Sequence, residues 1–496
     1  MGVMTFLLPA DLSPETMREL GRACISGGPD NMPWPTEIQV EPGKLSARRG
    51  VEESGSLVAP WRIDGAGHLL SSTATLIERE QPYHFLVELA RGKVHQLRTQ
   101  SAEWQAGGLQ MPSELAEKIR EASVGFSRAV TKPPSEEAGK EAQQVLTQGY
   151  RAADELVHQY IDQMFQARHL RQPRLETTQG CVLGPIKLTA THKDLLLQTC
   201  NSVCLNLSWK DVEPTEASYH WEPYDAILDW AVDHGLSVSA GPLIDFSTTY
   251  LPEWLWLWER DLASIASFMA DYVQVAVKRY HDRIRTWQLT GASNCASLLS
   301  LGEDEMLWLT VRMAEAARQI DPKLEMIVGI AQPWGEYMAA ADRTHSPFIF
   351  ADTLIRSGLN LAGLDLELIM GVQPRGSYCR DLIGMSRLID LYTILGVPLH
   401  LTLGYPSATQ PDARASSDLS VSAGSWQHGF SPEAQAEWAS SFVALGLCKP
   451  SVRGVQWIHP TDAKPHLFPH CGLFDSRDQP KPVMQSLRDL REKHLR

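Results

Sequence analysis

The stretch from Cys200 to Trp254 limits most severely what this chain can fold into. An apolar run ends at Trp209, and a polar loop opens at Glu213-Pro214 and closes at Tyr219 and Trp221. A helix is expected from about Pro223 to His234, with Ala226, Ile227, Trp230 and Ala231 on one stripe. Gly235 stands where a helix C-cap belongs, and Leu236 to Ile244 reads as a second buried strand. Strand, helix and strand joined by short connections make a right-handed βαβ unit, and therefore a parallel sheet.

That alternation recurs. Strands are expected at Cys181–Gly184, Ser202–Leu207, Leu236–Ile244, Ile284–Leu289, Glu325–Ile330, Leu364–Met370, Pro398–Leu403 and Val452–Trp457, with helices between them. Eight such repeats predict an α/β fold, the (β/α)8 TIM barrel, whose active site lies at the strand C-termini. Upstream, residues 36–82 hold short alternating runs broken by Gly and Pro, which predict a small antiparallel sandwich. Residues 83–106 have a helical period. Pro112-Ser113-Glu114 opens a further helix, and Pro134-Ser135 opens a longer one with Val145, Leu146, Leu156 and Ile161 on its buried stripe. The expected organisation is a β-rich accessory domain (1–110), a helical connector (111–175) and the barrel (176–496).

Composition narrows the partners. A net charge of −14 argues against nucleic acid and anionic membrane surfaces, which require a basic patch. The start, MGVMTFLLPADL, lacks a basic segment and has only a short apolar run, so no secretory signal or membrane span is expected. Eight scattered cysteines without zinc-finger spacing read as reduced thiols, and the expected location is cytoplasmic. Fifteen tryptophans serve core packing, or stack on the apolar faces of pyranose rings. His459, His466 and His470 lie with Cys471 and Asp475 in a Pro-broken segment that matches no metal-ligand motif, so neither metal nor cofactor is expected.

Trp209, Glu213-Pro214, Tyr219, Asp225, Trp230-Ala231 and the Pro252-Glu253-Trp254 turn together resemble the family 10 glycoside hydrolases, the xylanase family. Phe268 to Trp287 is similar to that family's helix and fourth strand. Gly454–Trp457, Gly472–Asp475 and Pro480–Pro482 are similar to its eighth strand and final loop. The resemblance spans residues 176–490 and implies a retaining mechanism, with an acid and a nucleophilic glutamate about 5–5.5 Å apart. Those glutamates are missing. Gly291-Ala292 stands where the resemblance implies Asn-Glu after the fourth strand, and Leu403 where it implies the nucleophile on the seventh. Cys204, Leu205 and Ser208 replace the family's substrate contacts near the second strand, so xylan is not the expected substrate.

Other carboxylates enter the barrel mouth. Glu367 occupies the family's Gln position on the sixth strand, and Asp365 lies two residues deeper on the same face. Two close carboxylates cannot both ionise cheaply, so one pKa should rise, as a general acid needs. Asp245 ends the third strand, and Glu336 follows the fifth. These residues give a catalytic set of Glu367, Asp245 and Glu336. The substrate-binding set is Trp457, Trp334, Asp365, Arg375, Tyr405, His459 and Asp462, with Trp457 aligned to the family's stacking tryptophan. The expected partner is an oligosaccharide or glycoside. The two readings are a divergent glycoside hydrolase with relocated carboxylates and an inactive carbohydrate-binding or scaffolding barrel.

Overall fold

The structure, a computed structural model, describes residues 2–496 apart from Thr248, Ser297 and Asp342. Eight parallel strands close into a barrel: β1 (Thr178–Leu183), β2 (Ser202–Leu205), β3 (Ser237–Ala240), β4 (Thr286–Gln288), β5 (Glu325–Ala331), β6 (Gly363–Ile369), β7 (Leu399–Gly404) and β8 (Val452–Trp457), with β8 pairing back onto β1. The third strand is shorter than its apolar run. Gly241 has φ of 123°, and a Cβ there would lie 2.2 Å from the Gln288 carbonyl, so the chain leaves the barrel ladder at that point. It resumes at Ile244-Asp245, which pair in parallel with Thr290-Gly291 above β4.

The N-terminal region forms two sheets. One orders Thr36–Glu41, Lys44–Arg49, Gly2–Leu7 and Tyr83–His84. The other orders Gly67–Ser72, Ser56–Ile63, Cys24–Gly27 and Met32–Trp34, and its outermost strand is Ser425–Trp426, contributed by the loop after β7. Three helices follow, α1 (Phe85–Ala106), α2 (Ser113–Thr131) and α3 (Glu136–His169), all packed on one another. Helix α3 begins at Ser135, whose hydroxyl accepts the Ala138 amide, and carries Val145, Leu146, Leu156 and Ile161 on its buried face, as its spacing requires. It runs against α4 (Pro432–Cys448) of the barrel, and one contiguous core extends from Phe6 through the bundle to Leu495. Among the described residues, no helix is long and apolar enough to cross a membrane.

Alternation along the strands decides which residues reach the barrel axis. A Cβ on Gly446 of α4 would touch Leu401 and Val455, so these residues face the helices. Leu403 and Trp457, two positions on, therefore face outward as well. His400, Thr402 and Gly404 of β7, with Asp365 and Glu367 opposite them in register, face the axis.

Candidate active site at the barrel mouth

Three of the sequence-expected residues converge at the strand C-termini. Asp245 reaches the site because its two-residue strand sits on Thr290-Gly291. A Cβ on Gly291 would lie 3.2 Å from Asp245 Oδ2, so the position where the resemblance implies a side chain is emptied where Asp245 enters. Arg375 is carried by a turn that folds back on the end of β6. Ser377 donates its amide to the Ile369 carbonyl at 2.7 Å, Gly371 donates to Ser377 at 2.9 Å, and Gln332 Nε2 donates to the Pro374 carbonyl at 2.5 Å. The guanidinium Nη2 then lies 3.7 Å from Asp245 Oδ1, an ion pair too long for a hydrogen bond.

Glu367 stands within the same field. Burial pushes its pKa up to about 7, Arg375 pulls it down, and Asp245 and Asp365 push it further up. One layer deeper, burial raises Asp365 to about 6 even though the Thr402 hydroxyl donates to its carboxylate at 2.8 Å. Burial works against the charge on Arg375, but Asp245 and Glu367 hold it above its ordinary value. Asp245 Oδ1, Ser247 Oγ, Glu367 Oε1 and both terminal nitrogens of Arg375 are enclosed without a hydrogen-bond partner. Native proteins leave few such groups, and the four on Asp245, Glu367 and Arg375, which share one electrostatic field, leave room for a polar ligand or ordered water. Tyr250 and Cys295 share this field. Burial pushes the Cys295 thiol up to about 12, so it is not a thiolate nucleophile, and burial with Asp245 raises the Tyr250 hydroxyl. Neither residue is singled out by motif or spacing, and only the folded strand ends bring them in.

The other expected residues lie elsewhere. Trp457 faces α4, 2% exposed and edge-on to Trp438, with its Nε1 donating to the Cys471 carbonyl at 2.6 Å. It is a packing residue, because strand parity turns it away from the mouth. Leu403 shares that parity, so the inward positions of β7 near its end are Thr402 and Gly404, neither of which can ionise. Tyr405 is fully buried between Phe430 and Trp438, accepting the Trp426 amide and donating to the Gly429 carbonyl. Glu336 pairs with Arg380 and accepts the Tyr378 amide at 3.0 Å, while Arg380 lies 4.5 Å from the centre of the Trp334 ring. The Tyr378 hydroxyl donates to Glu19 at 2.7 Å. Glu336 and Trp334 thus belong to the joint with the N-terminal sheets.

His459 and Asp462 belong to a second polar cluster, between the loops after β7 and β8. His459 Nε2 accepts the Phe468 amide at 3.0 Å, and burial holds its pKa well below the usual value. Asp462 Oδ2 takes Lys481 Nζ at 2.5 Å and Oδ1 accepts the Gly472 amide at 2.7 Å. The cluster also contains Asp412 and His466. No sequence spacing links Asp412 to His466, since they come from different loops. A separate surface cleft of about 290 Å³, lined by Leu115, Lys118, Asp154 and His158, lies between α2 and α3.

Residues 174–290 match the model of Glycosyl hydrolase family 10. The match covers β1 to β4 and ends at Thr290, immediately before Gly291-Ala292, and the barrel is family-10-like. Among solved structures, the chain is similar to xylanase 10B of Thermotoga maritima, at 15% identity over 64% of this chain and 95% of that one, with a TM-score of 0.48. It is also similar to xylanase B of Clostridium stercorarium, at 16% identity over 63% and 96%, with a TM-score of 0.47. The intracellular xylanase of Thermoanaerobacterium saccharolyticum, solved with xylotriose, is 16% identical over 64% and 96%, with a TM-score of 0.47.

Proposed function

We propose that the barrel mouth binds an oligosaccharide and cleaves a glycosidic bond, with Glu367 as general acid and Asp245 as its carboxylate partner. The observation that carries this reading is the constellation of Glu367, Asp245 and Arg375, with their unpartnered oxygens and nitrogens enclosed at one place. A carboxyl whose pKa is raised to about 7 is still partly protonated at neutrality and can pass that proton to a departing sugar oxygen. Arg375 keeps Asp245 in place and offers donors to sugar hydroxyls, as a fork does to paired oxygens. Glu336, committed to Arg380, has no part in this scheme. The match to Glycosyl hydrolase family 10 over residues 174–290 supports the substrate class, and the replaced contacts Cys204, Leu205 and Ser208 argue against xylan itself.

The test is turnover of labelled α- and β-glycosides and oligosaccharides by the wild type, Glu367→Gln and Asp245→Asn. The expected result is wild-type hydrolysis that falls by roughly 100-fold or more in each variant. Hydrolysis that survives Glu367→Gln unchanged would sink the assignment. A second reading, a carbohydrate-binding barrel without turnover, is favoured by the ion pair that engages Asp245 and by Gly291-Ala292 standing after β4. Its signature is saturable sugar binding with no hydrolysis of any substrate tried.

A further inference from the structure

We propose that Asp412, Asp462 and His466 form a site for a divalent first-row transition ion that clips the loop after β7 to the loop after β8. Their ligand atoms lie within 4.8 Å of one another, and their side chains are 9%, 5% and 3% exposed. The decisive observation is the placement of the His466 ring, between a backbone carbonyl and two carboxylates. Its Nδ1 lies 2.7 Å from the Lys464 carbonyl oxygen, a contact only an N–H can make. In the neutral ring, Nε2 is then a bare lone pair. It faces two further acceptors, Asp412 Oδ2 at 3.1 Å and Asp462 Oδ1 at 4.0 Å.

An acceptor aimed at two acceptors in a buried pocket calls for either a proton or a metal ion between them. A ring N–H spent on a backbone carbonyl opposite the ligating nitrogen is the outer-shell arrangement of metal-bound imidazoles. His470 repeats the pattern beside the site, with Nε2 at 2.7 Å from the Gln410 carbonyl and Nδ1 at 3.6 Å from Asp412 Oδ2. Bonds of about 2.0–2.1 Å in a tetrahedral site give ligand edges of roughly 3.3–3.4 Å, which the 3.1 and 4.0 Å separations bracket. Outer groups fix both carboxylates. Asp412 Oδ1 accepts the Arg414 amide at 3.0 Å and Oδ2 the His470 amide at 3.2 Å, while Lys481 and the Gly472 amide hold Asp462. Mixed nitrogen and oxygen donors select Zn²⁺, Mn²⁺ or Co²⁺ over Ca²⁺, which takes oxygen alone.

The rival occupant is a proton, which would make His466 an imidazolium paired with Asp412. To distinguish the two, the full chain is stripped with chelator and titrated with Zn²⁺ and with Co²⁺, reading bound metal, the cobalt visible bands and the thermal midpoint. The expected result is about one equivalent bound, a raised midpoint, and affinity lowered by more than about 100-fold in His466→Ala and Asp412→Asn. Both variants should match the stripped wild type in midpoint, and His466→Gln serves if the alanine variant does not fold. A wild type that binds neither ion in excess, or variants that bind as tightly as the wild type, would overturn the site. These readouts do not involve turnover, so their failure leaves the glycosidase reading untouched.

Discussion

Glu367 keeps its proton to about pH 7 because burial penalises its anion more than Arg375 favours it. This has a consequence for folding. With its folded pKa raised above the unfolded value, Glu367 contributes stability that is fully present below about pH 4.5 and lost as pH rises through about 7. Asp365, raised to about 6, adds to the same trend. Glu367→Gln should therefore stabilise the protein at pH 8 by roughly 1–3 kcal/mol and change little at pH 4, as read by thermal midpoints across that range. The same titration should appear in catalysis as activity that declines as pH rises through about 7, measured as kcat/KM against pH. Glu367, Asp245 and Arg375 were legible beforehand because a barrel restricts chemistry to strand ends, and each of them follows or ends a strand. Gly291 was legible as a loss, but not as the space that Asp245 requires.

At the scale of elements, the parity of β8 separates what could be read from what could not. The eight strands were legible from their apolar runs, yet the face of any one residue depends on register, and a shift by one position reverses it. Trp457 therefore serves the interface between β8 and α4. Trp457→Ala should lower stability by about 3–5 kcal/mol in chemical denaturation, as a core truncation does, without selective loss of sugar affinity. The C-terminal helix α5 (Val483–His494) is held in a comparable way. His494 stacks on Phe165 at 3.6 Å, and its Nδ1 faces His169 Nε2 at 2.9 Å. Burial lowers His494 to about 4, with Lys493 and His169 adding to the effect. A depressed pKa contributes stability that is present above the unfolded value, near 6.5, and lost as pH falls through about 4. Amide exchange across α5, normalised for pH, should therefore accelerate between pH 6.5 and 4 before it does in the barrel strands.

For the whole molecule, the N-terminal sheets and helices grip the loops that follow β5, β6 and β7. Tyr378 donates to Glu19, Ser346 bonds Asp30, and buried Lys93 pairs with Asp381 beneath the Tyr150 ring. The two ends of the Lys93–Asp381 pair are unequal. Lys93 is 3% exposed and Asp381 18%, and Asp381 also caps the helix Leu382–Thr393 through the Gly384 amide. Removing the carboxylate strands a buried ammonium, whereas removing the ammonium leaves an acid that water can still reach. Asp381→Ala should cost about 3–5 kcal/mol and Lys93→Met distinctly less, by denaturant titration. None of these long-range pairs was legible, because a propensity or a period reports only on its own neighbourhood. The strand Ser425–Trp426 carries this coupling into the order of synthesis. Until the ribosome has passed the seventh repeat, the Gly67-His68 end of Gly67–Ser72 is an open sheet edge, available to any neighbouring nascent chain. A chain that stalls inside the barrel is thus an aggregation hazard at its opposite end.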